Sequence, residues 1–370
     1  MLNVSCAQAE LHASVQTVAH GVSGRSTQPV QNNIYLESAG NSLRLVATDL
    51  EFISLEATIE AEAAGEGAVT VPARLLGEVI GSLPGDQVTL AADENNTLTV
   101  TSEQSRYEIR GMSAGDFEML PPLAEPDEFE LSQRDLHSIL SQTAFATSAD
   151  ETRPILTGAL FKVSPQGLEV VATDTYRLAL RKLSAEIRVK QPREAIISAR
   201  ALVEMVRVLD PDSEEPVSLA ISSNQVCGTV GAVKVGSRLI EGQFPNYEKV
   251  LPEDSDKRIV VTNKALAAAL RRAIIVARED ANRVIMRGQP HAIQITADSH
   301  DVGHVDESVP ATLEGDEIEI AFNARYLLDA LDAITDEKVV FELSQPLSPG
   351  TLRPLESGDY TYVIMPMQVM

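Results

Sequence analysis

Tryptophan is absent from this 370-residue sequence, cysteine occurs only twice, and aromatic residues make up 4% of it. Cys6 and Cys227 lie in different thirds with no zinc-type spacing, which excludes a disulfide framework and fits a reducing cytoplasm. Scarce aromatics leave little surface on which bases could stack, so binding of single strands is not the expected mode. No uninterrupted apolar run approaches the ~18 residues that span a bilayer. The N-terminal residues show neither a basic segment nor a long apolar one, so no signal peptide and no membrane partner are expected. Also missing are the phosphate-binding loops Gly-x-x-x-x-Gly-Lys-Ser/Thr and Gly-x-Gly-x-x-Gly, and the nucleophile motif Gly-x-Ser-x-Gly. Nucleotide hydrolysis by this chain is therefore not expected.

Positive charge is also in short supply: the formal net charge is −24 at a mean hydropathy of −0.03. Such a balance ordinarily argues against nucleic acid, which needs a basic footprint. The distribution qualifies that. Cut after Asp127 and Asp254, each third holds 18 acidic residues, whereas basic residues number 5, 14 and 11, and the first third has no lysine. Basic residues gathered on one face can make a locally positive surface within an acidic exterior.

What the chain does contain is a threefold repetition. Ala47-Thr48-Asp49 recurs as Ala172-Thr173-Asp174 and, more loosely, as Ala297-Asp298, at intervals of 125 and 124 residues. Pro72-Ala73-Arg74, Ser198-Ala199-Arg200 and Asn323-Ala324-Arg325 keep the same beat. A period this long is a whole domain rather than a solenoid repeat. Three modules are expected, at 1–127, 128–254 and 255–370, with the Pro-rich stretches at 120–126 and 251–256 as linkers.

Hydrophobic spacing predicts the same order of elements in each. In the first, residues 10–19 read as a helix (Leu11, Val15, Val18) and 33–59 as strands. Residues 69–71 form a strand feeding a helix over 72–83, with Pro72 near its first position; 88–90 and 98–100 make a hairpin, and 106–110 a further strand. The second has helices over 133–146 and 199–209 around strands at 160–163 and 168–172. The third has helices over 264–278 and 324–334 and a strand at 293–296. Ser198 and Asn323 are suited to N-caps. The class is α+β: two helices plus an antiparallel strand set per module.

Three equivalent aspartates at one place in a repeat fit a strand-end turn better than a catalytic pair. His300 and His304, with Asp301, Asp306 and Glu307, are the only metal-like group, and a solvated loop explains them, so no metal or cofactor is expected. Arg200 and Arg207, and likewise Arg271 and Arg278, are seven residues apart, which places each pair near one side of a helix; Lys264 and Arg272 add to the second. The ordinary reading is a solvated face. The terminal Tyr360-Thr361-Tyr362-Val363-Ile364-Met365-Pro366-Met367-Gln368-Val369-Met370 is apolar where chain ends are usually polar. It must be tucked into a sheet or line a groove, and methionine suits a surface that accepts several peptides.

Four segments carry a resemblance: Thr152-Arg153-Pro154-Ile155-Leu156-Thr157-Gly158, Ala172-Thr173-Asp174 followed by Arg177-Leu178, Gly242-Gln243-Phe244-Pro245-Asn246-Tyr247, and Val363-Ile364-Met365-Pro366-Met367. Through them the whole chain resembles the bacterial DNA polymerase III beta subunits, the processivity clamps. That resemblance implies a non-catalytic subunit, with three copies of one module and a head-to-tail homodimer forming a six-module ring around duplex DNA. It implies a partner-peptide groove at Leu156, Thr173, Arg177, Leu178, Pro245, Lys249, Val250, Val363, Ile364, Met365, Pro366 and Met367. Where the family commonly has Gly-His before Arg-Leu this chain has Thr175-Tyr176, and Lys249 stands where an arginine is common. By the same resemblance Arg25 faces DNA, with Arg200, Arg207, Arg271 and Arg272 as modest phosphate contacts; Tyr107, Ile274 and Ile275 are interface positions.

The implied partners are double-stranded DNA held without base readout, the replicative polymerase, an ATP-dependent clamp loader, and repair polymerases with other carriers of the clamp-binding motif. The expected setting is the cytoplasm, at the nucleoid. A different class remains open on the residues alone: an acidic three-domain scaffold that binds only proteins. An enzyme acting through Asp174 stands third.

Overall fold

The computed structural model describes residues 1–22, 28–252 and 254–368. The first third runs β1 (Asn3–Ala7), α1 (Gln8–Ala19), β2 (Asn33–Ala39), β3 (Ser42–Thr48), β4 (Ser54–Glu60), β5 (Glu62–Gly65) and β6 (Gly67–Pro72). It closes with α2 (Ala73–Ser82), β7 (Gln87–Ala92), β8 (Thr97–Ser102) and β9 (Ser105–Arg110). The middle third has β10 (Asp127–Ser132), α3 (Gln133–Thr143), β11 (Gly158–Ser164), β12 (Gly167–Thr173), β13 (Arg177–Ser184) and β14 (Arg193–Ser198). Then come α4 (Ala199–Val208), β15 (Pro216–Ile221), β16 (Gln225–Val230) and β17 (Val233–Arg238). The last third has β18 (Lys257–Thr262), α5 (Asn263–Ala277), β19 (Arg283–Gln289), β20 (Ala292–Ser299), β21 (Gly303–Glu314) and β22 (Ile318–Asn323). It ends with α6 (Ala324–Ala333), β23 (Lys338–Leu343), β24 (Gly350–Pro354) and β25 (Tyr360–Ile364). Strand, helix, strand set, helix, three strands: the order recurs three times, as the repetition predicts.

These elements form two compact units, and the middle third contributes to both. In the first unit (1–137, 188–190, 200–240), one sheet has the order β5-β1-β7-β8-β9. A second, β10-β15-β16-β17-β4-β3-β2-β6, is continuous because β17 pairs with β4, Val235 opposite Leu55. The period-two pattern explains the sheets: in β8, Leu98 and Val100 point inward between half-exposed threonines. The period-3.6 pattern explains the helices, since Leu11, Val15 and Val18 of α1 meet Leu76, Val79 and Ile80 of α2 in one core with Ile34, Leu36, Leu43 and Leu45. Each such side chain contributes roughly 1.5–3 kcal/mol by leaving water.

The second unit (138–187, 191–199, 241–370) is built on a twelve-stranded sheet, β14-β11-β12-β13-β25-β24-β23-β18-β21-β20-β19-β22. Its join is the pairing of β13 with β25, from Arg177 opposite Ile364 to Arg181 opposite Tyr360. The apolar segment is thus sheet from Tyr360 to Ile364: Val363 and Ile364 are buried, and Met365 just beyond donates its N–H to the Tyr176 carbonyl.

One repeated device is invisible in the motifs. Each module's first helix opens on an amide that binds the far end of the second helix. Gln8 Nε2 donates to the Ile80 carbonyl (2.7 Å), Gln133 Oε1 accepts from the Asp210 N–H (2.9 Å), and Asn263 Nδ2 donates to Leu331 (3.1 Å) and Ile334 (2.7 Å) carbonyls. Helix ends leave backbone groups without intrahelical partners, and these amides satisfy some of them.

Two local expectations need correction. Pro72 is the N-cap of α2 (φ −55°, ψ 119°), not its first helical residue, because it is also the last residue of β6, opposite Asn33. The strand-end turn occurs in only two copies. Asp49 Oδ1 accepts the N–H groups of Glu51, Phe52 and Ile53, and Asp174 Oδ1 those of Tyr176 and Arg177. Asp298 instead lies within the β20–β21 pairing opposite His304. The first two turns use the preceding hydroxyl, Thr48 or Thr173, to accept the N–H of Leu50 or Thr175; Ala297 offers none. Asn323 does cap α6, accepting from Arg325 and Tyr326.

Replacing buried Asn263 by alanine strips the end of α6 of its donor. The expected loss is about 1–3 kcal/mol of unfolding free energy, measured by urea denaturation, with an unchanged slope.

Candidate partner-binding pocket

Register determines what β12, β13 and β25 present together. Thr173 lies opposite Leu178, and Leu178 opposite Val363, so the three side chains form one row across three strands. With Thr175, Arg177, Val250 and Met365 they line a depression whose space, open to solvent, amounts to ≈ 170 Å³. Drug-sized ligand sites usually span about 300–1,000 Å³. This one suits individual side chains of a peptide.

Six of the twelve expected groove residues therefore line this pocket: Thr173, Arg177, Leu178, Val250, Val363 and Met365. Leu156 is buried in a one-turn helix, Pro154–Leu156, and Ile364 is buried on the sheet face opposite Val363. Pro245 and Lys249 are exposed, and Pro366 and Met367 half-buried, Met367 held by its N–H to the Ala321 carbonyl (2.7 Å).

Arg177 begins β13 with its guanidinium largely buried. Its Nε donates to Asp174 Oδ2 (3.0 Å), Nη1 to Asp329 Oδ2 (2.5 Å) and Nη2 to the Phe145 carbonyl (2.8 Å). The group also lies 4.3 Å from the Tyr326 ring centroid and 5.4 Å from that of Phe145. Burial works against this charge, but Tyr362, Asp329 and Asp174 outweigh it and hold the pKa above its ordinary value. The charge is spent inside the protein, which makes Arg177 a strut between β13 and α6. Burial likewise raises the Tyr362 phenol, whose hydroxyl donates to the Tyr326 carbonyl (2.8 Å).

Thr175 is the pocket residue that the expected set omitted. Its φ of 81° is a left-handed conformation that a β-branched residue adopts at a cost of order 1–3 kcal/mol. Thr173 Oγ1 accepts its N–H (3.1 Å), and Arg153 Nη1 donates to its hydroxyl (3.3 Å). Leu50 occupies the same place in the first module with φ 67°. Tyr176, beside Thr175, is 60% exposed, an aromatic ring at the rim.

Of the expected DNA-facing arginines, Arg200, Arg207, Arg271 and Arg272 each have a carboxylate partner. Arg200 pairs with Asp49 and donates to the His20 carbonyl (3.3 Å), at the C-cap of α1, and to the Val22 carbonyl (2.9 Å). Arg207 sits 3.6 Å from Glu204 and contacts the His20 ring. Arg271 pairs with Asp332, and Arg272 chelates Glu307 through Nε and Nη2 (2.6 and 2.7 Å). Arg25 lies outside the described residues. Tyr107 is on β9, an edge of its sheet, and Ile275 on α5; both are exposed, and Ile274 is half-buried. Among the described residues no group of acidic, His and Cys side chains could hold a metal ion, and no helix is long and apolar enough to cross a membrane. His304 is instead hydrogen-bonded to Asp298 (2.7 Å).

Comparison with known proteins accords with this architecture. Residues 2–121, 130–246 and 248–368 match the N-terminal, central and C-terminal domains of the DNA polymerase III beta subunit. A beta sliding clamp of Synechococcus elongatus is 33% identical over 373 residues, covering all of both chains. The DNA polymerase sliding clamp of Bacillus subtilis superposes with a TM-score of 0.93 at 29% identity over both full lengths. A Pseudomonas aeruginosa clamp crystallised with griselimycin superposes at 0.92 with 31% identity, again over both full lengths.

Removing the Arg177 side chain leaves Asp174 and Asp329 facing each other without a cation. Arg177→Ala is expected to cost ~3 kcal/mol, measured by chemical denaturation, whereas Arg153→Ala at the exposed rim costs under about 1 kcal/mol.

Proposed function

Because the chain belongs to the DNA polymerase III beta subunit family, we propose that it encircles duplex DNA as a head-to-tail dimer and holds partner proteins through the pocket on β12, β13 and β25. The sliding-clamp role, with DNA and a DNA polymerase as partners, comes with membership of the family. A protein-only scaffold is not favoured. The finer reading is carried by one observation: the Thr173–Leu178–Val363 row, roofed by Val250 and Met365, offers apolar side-chain sites beside a methionine, whose unbranched side chain adapts to different apolar partners. Short peptides with a glutamine and apolar residues are its occupants, presented by the polymerase, by repair polymerases and by the loader.

Sliding requires contacts that are weak and blind to sequence. The arginines support this, because Arg200, Arg207, Arg271 and Arg272 each exchange a carboxylate for a phosphate when they bind, so the net gain per contact is small. The acidic surface elsewhere opposes indiscriminate adhesion to nucleic acid. The dimer is supported by β9, whose outer edge is free to add a strand and carries exposed Tyr107. A closed ring cannot thread onto circular DNA. With no phosphate-binding loop in its sequence, the chain relies on a separate ATP-driven loader, and it works in the cytoplasm where the chromosome lies.

The pocket is tested by deleting residues 365–370, which removes Met365 from its lining, and titrating a labelled glutamine-plus-apolar peptide by fluorescence anisotropy. Loss of peptide binding with an unchanged dimer mass is expected. Unchanged affinity would contradict the pocket assignment.

A further inference from the structure

The Val250 wall of the pocket is not part of the sheet. Val250 ends a single 3₁₀ turn, Tyr247–Val250, at the close of a loop that starts near Gly242. In a 3₁₀ turn, side chains three residues apart lie one above the other. Whatever fixes Tyr247 therefore orients Val250. The other end of the loop is pinned separately: Gly242 has φ 133°, and a Cβ there would lie 2.7 Å from Ile155 Cγ2.

Tyr247 is fixed by a row of charges. Glu194, Lys162, Glu169 and Lys182 are successive register partners on β14, β11, β12 and β13, alternating in sign across four strands. Glu169 and Thr173 are four residues apart on β12, and Lys182 and Leu178 four apart on β13, so the row shares a sheet face with the pocket. The Tyr247 hydroxyl donates to Glu169 Oε1. Lys162 Nζ lies 4.7 Å from the Tyr247 ring centroid and 4.0, 3.8 and 3.7 Å from carboxylate oxygens of Glu169, Glu194 and Glu248. Lys182 Nζ holds the other Glu169 oxygen at 3.0 Å. Burial, and then the Glu169 hydrogen bond, push the phenol well above its ordinary pKa, so it remains a donor.

We infer that the Tyr247–Glu169 hydrogen bond, braced by Lys162 and Lys182, is a latch that positions Val250 against the pocket and so determines how tightly partner peptides are held. The inference rests on the peptide reading of the pocket. Tyr247 and Glu169 touch no peptide in it; they act through the turn.

The test uses the full chain and a labelled glutamine-plus-apolar peptide in anisotropy titrations. Tyr247→Phe removes the hydroxyl, Glu169→Ala the acceptor, and Glu169→Gln retains an acceptor oxygen; Met365→Ala reports on the pocket directly. Tyr247→Phe and Glu169→Ala are expected to weaken binding about 3- to 10-fold, with Glu169→Gln within about twofold of the parent. Circular dichroism spectra should not change. Parental affinity in Tyr247→Phe, or equal losses in the two Glu169 variants, would overturn the latch. If Met365→Ala loses affinity while Tyr247→Phe does not, the latch alone fails; if neither loses affinity, the pocket reading fails and the latch with it.

Discussion

The antiparallel register between β13 and β25 is the constraint on which the second unit depends. It ties residues 177–181 to 360–364, almost two hundred positions later, and makes one sheet from strands of the middle and last thirds. A slip of one residue would turn Val363 away from Leu178 and bring Ile364 to the outer face. The slip is resisted on the inner face, where Tyr362 and Ile364 are buried and the Tyr362 hydroxyl is bonded to α6. Arg177 adds a second lock through Asp174 and Asp329. The Thr173–Leu178–Val363 floor of the pocket is thus a consequence of main-chain pairing, while its Val250 wall is held from outside the sheet.

Charge plays opposite parts at the pocket and on the helices proposed to face DNA. At the pocket it is consumed internally, in Arg177 and in the Glu194–Lys162–Glu169–Lys182 row, leaving apolar atoms for a partner. On the helices, Arg271 and Arg272 are more than half exposed, in pairs that water can screen. Under the proposed encirclement, such pairs would exchange a carboxylate for a phosphate with little net gain, leaving the protein free to move along DNA. An acidic chain can therefore serve as a DNA-binding protein without a conventional basic footprint.

Much of this was legible in the residues. The 125-residue beat of Ala-Thr-Asp gave the modules, because in two of them the same strand-end turn is built from the same Thr-Asp pair, while the looser third copy keeps the place but not the turn; the helix spacing of Leu11, Val15 and Val18 did the same for the first core. What stayed hidden depends on partners distant in sequence. Nothing in Gln8, Gln133 or Asn263 announces that each binds a helix end some seventy positions away, and Tyr247 gives no sign of Glu169. The arginines were readable as a helical face but not as ion pairs, since Asp49, Glu307 and Asp332 reach them only through the fold. Thr175 escaped because a strained φ is set by its surroundings rather than by its type.

Encirclement is a topological property, and it is measured most directly by following the protein on a nicked circular plasmid after loading with a clamp loader and ATP. Retention is then compared before and after the circle is cut with a restriction enzyme. A ring that encircles and slides is retained on the circle and lost from the linear product. Equal retention on both would contradict encirclement and mean that the protein holds DNA by surface affinity alone.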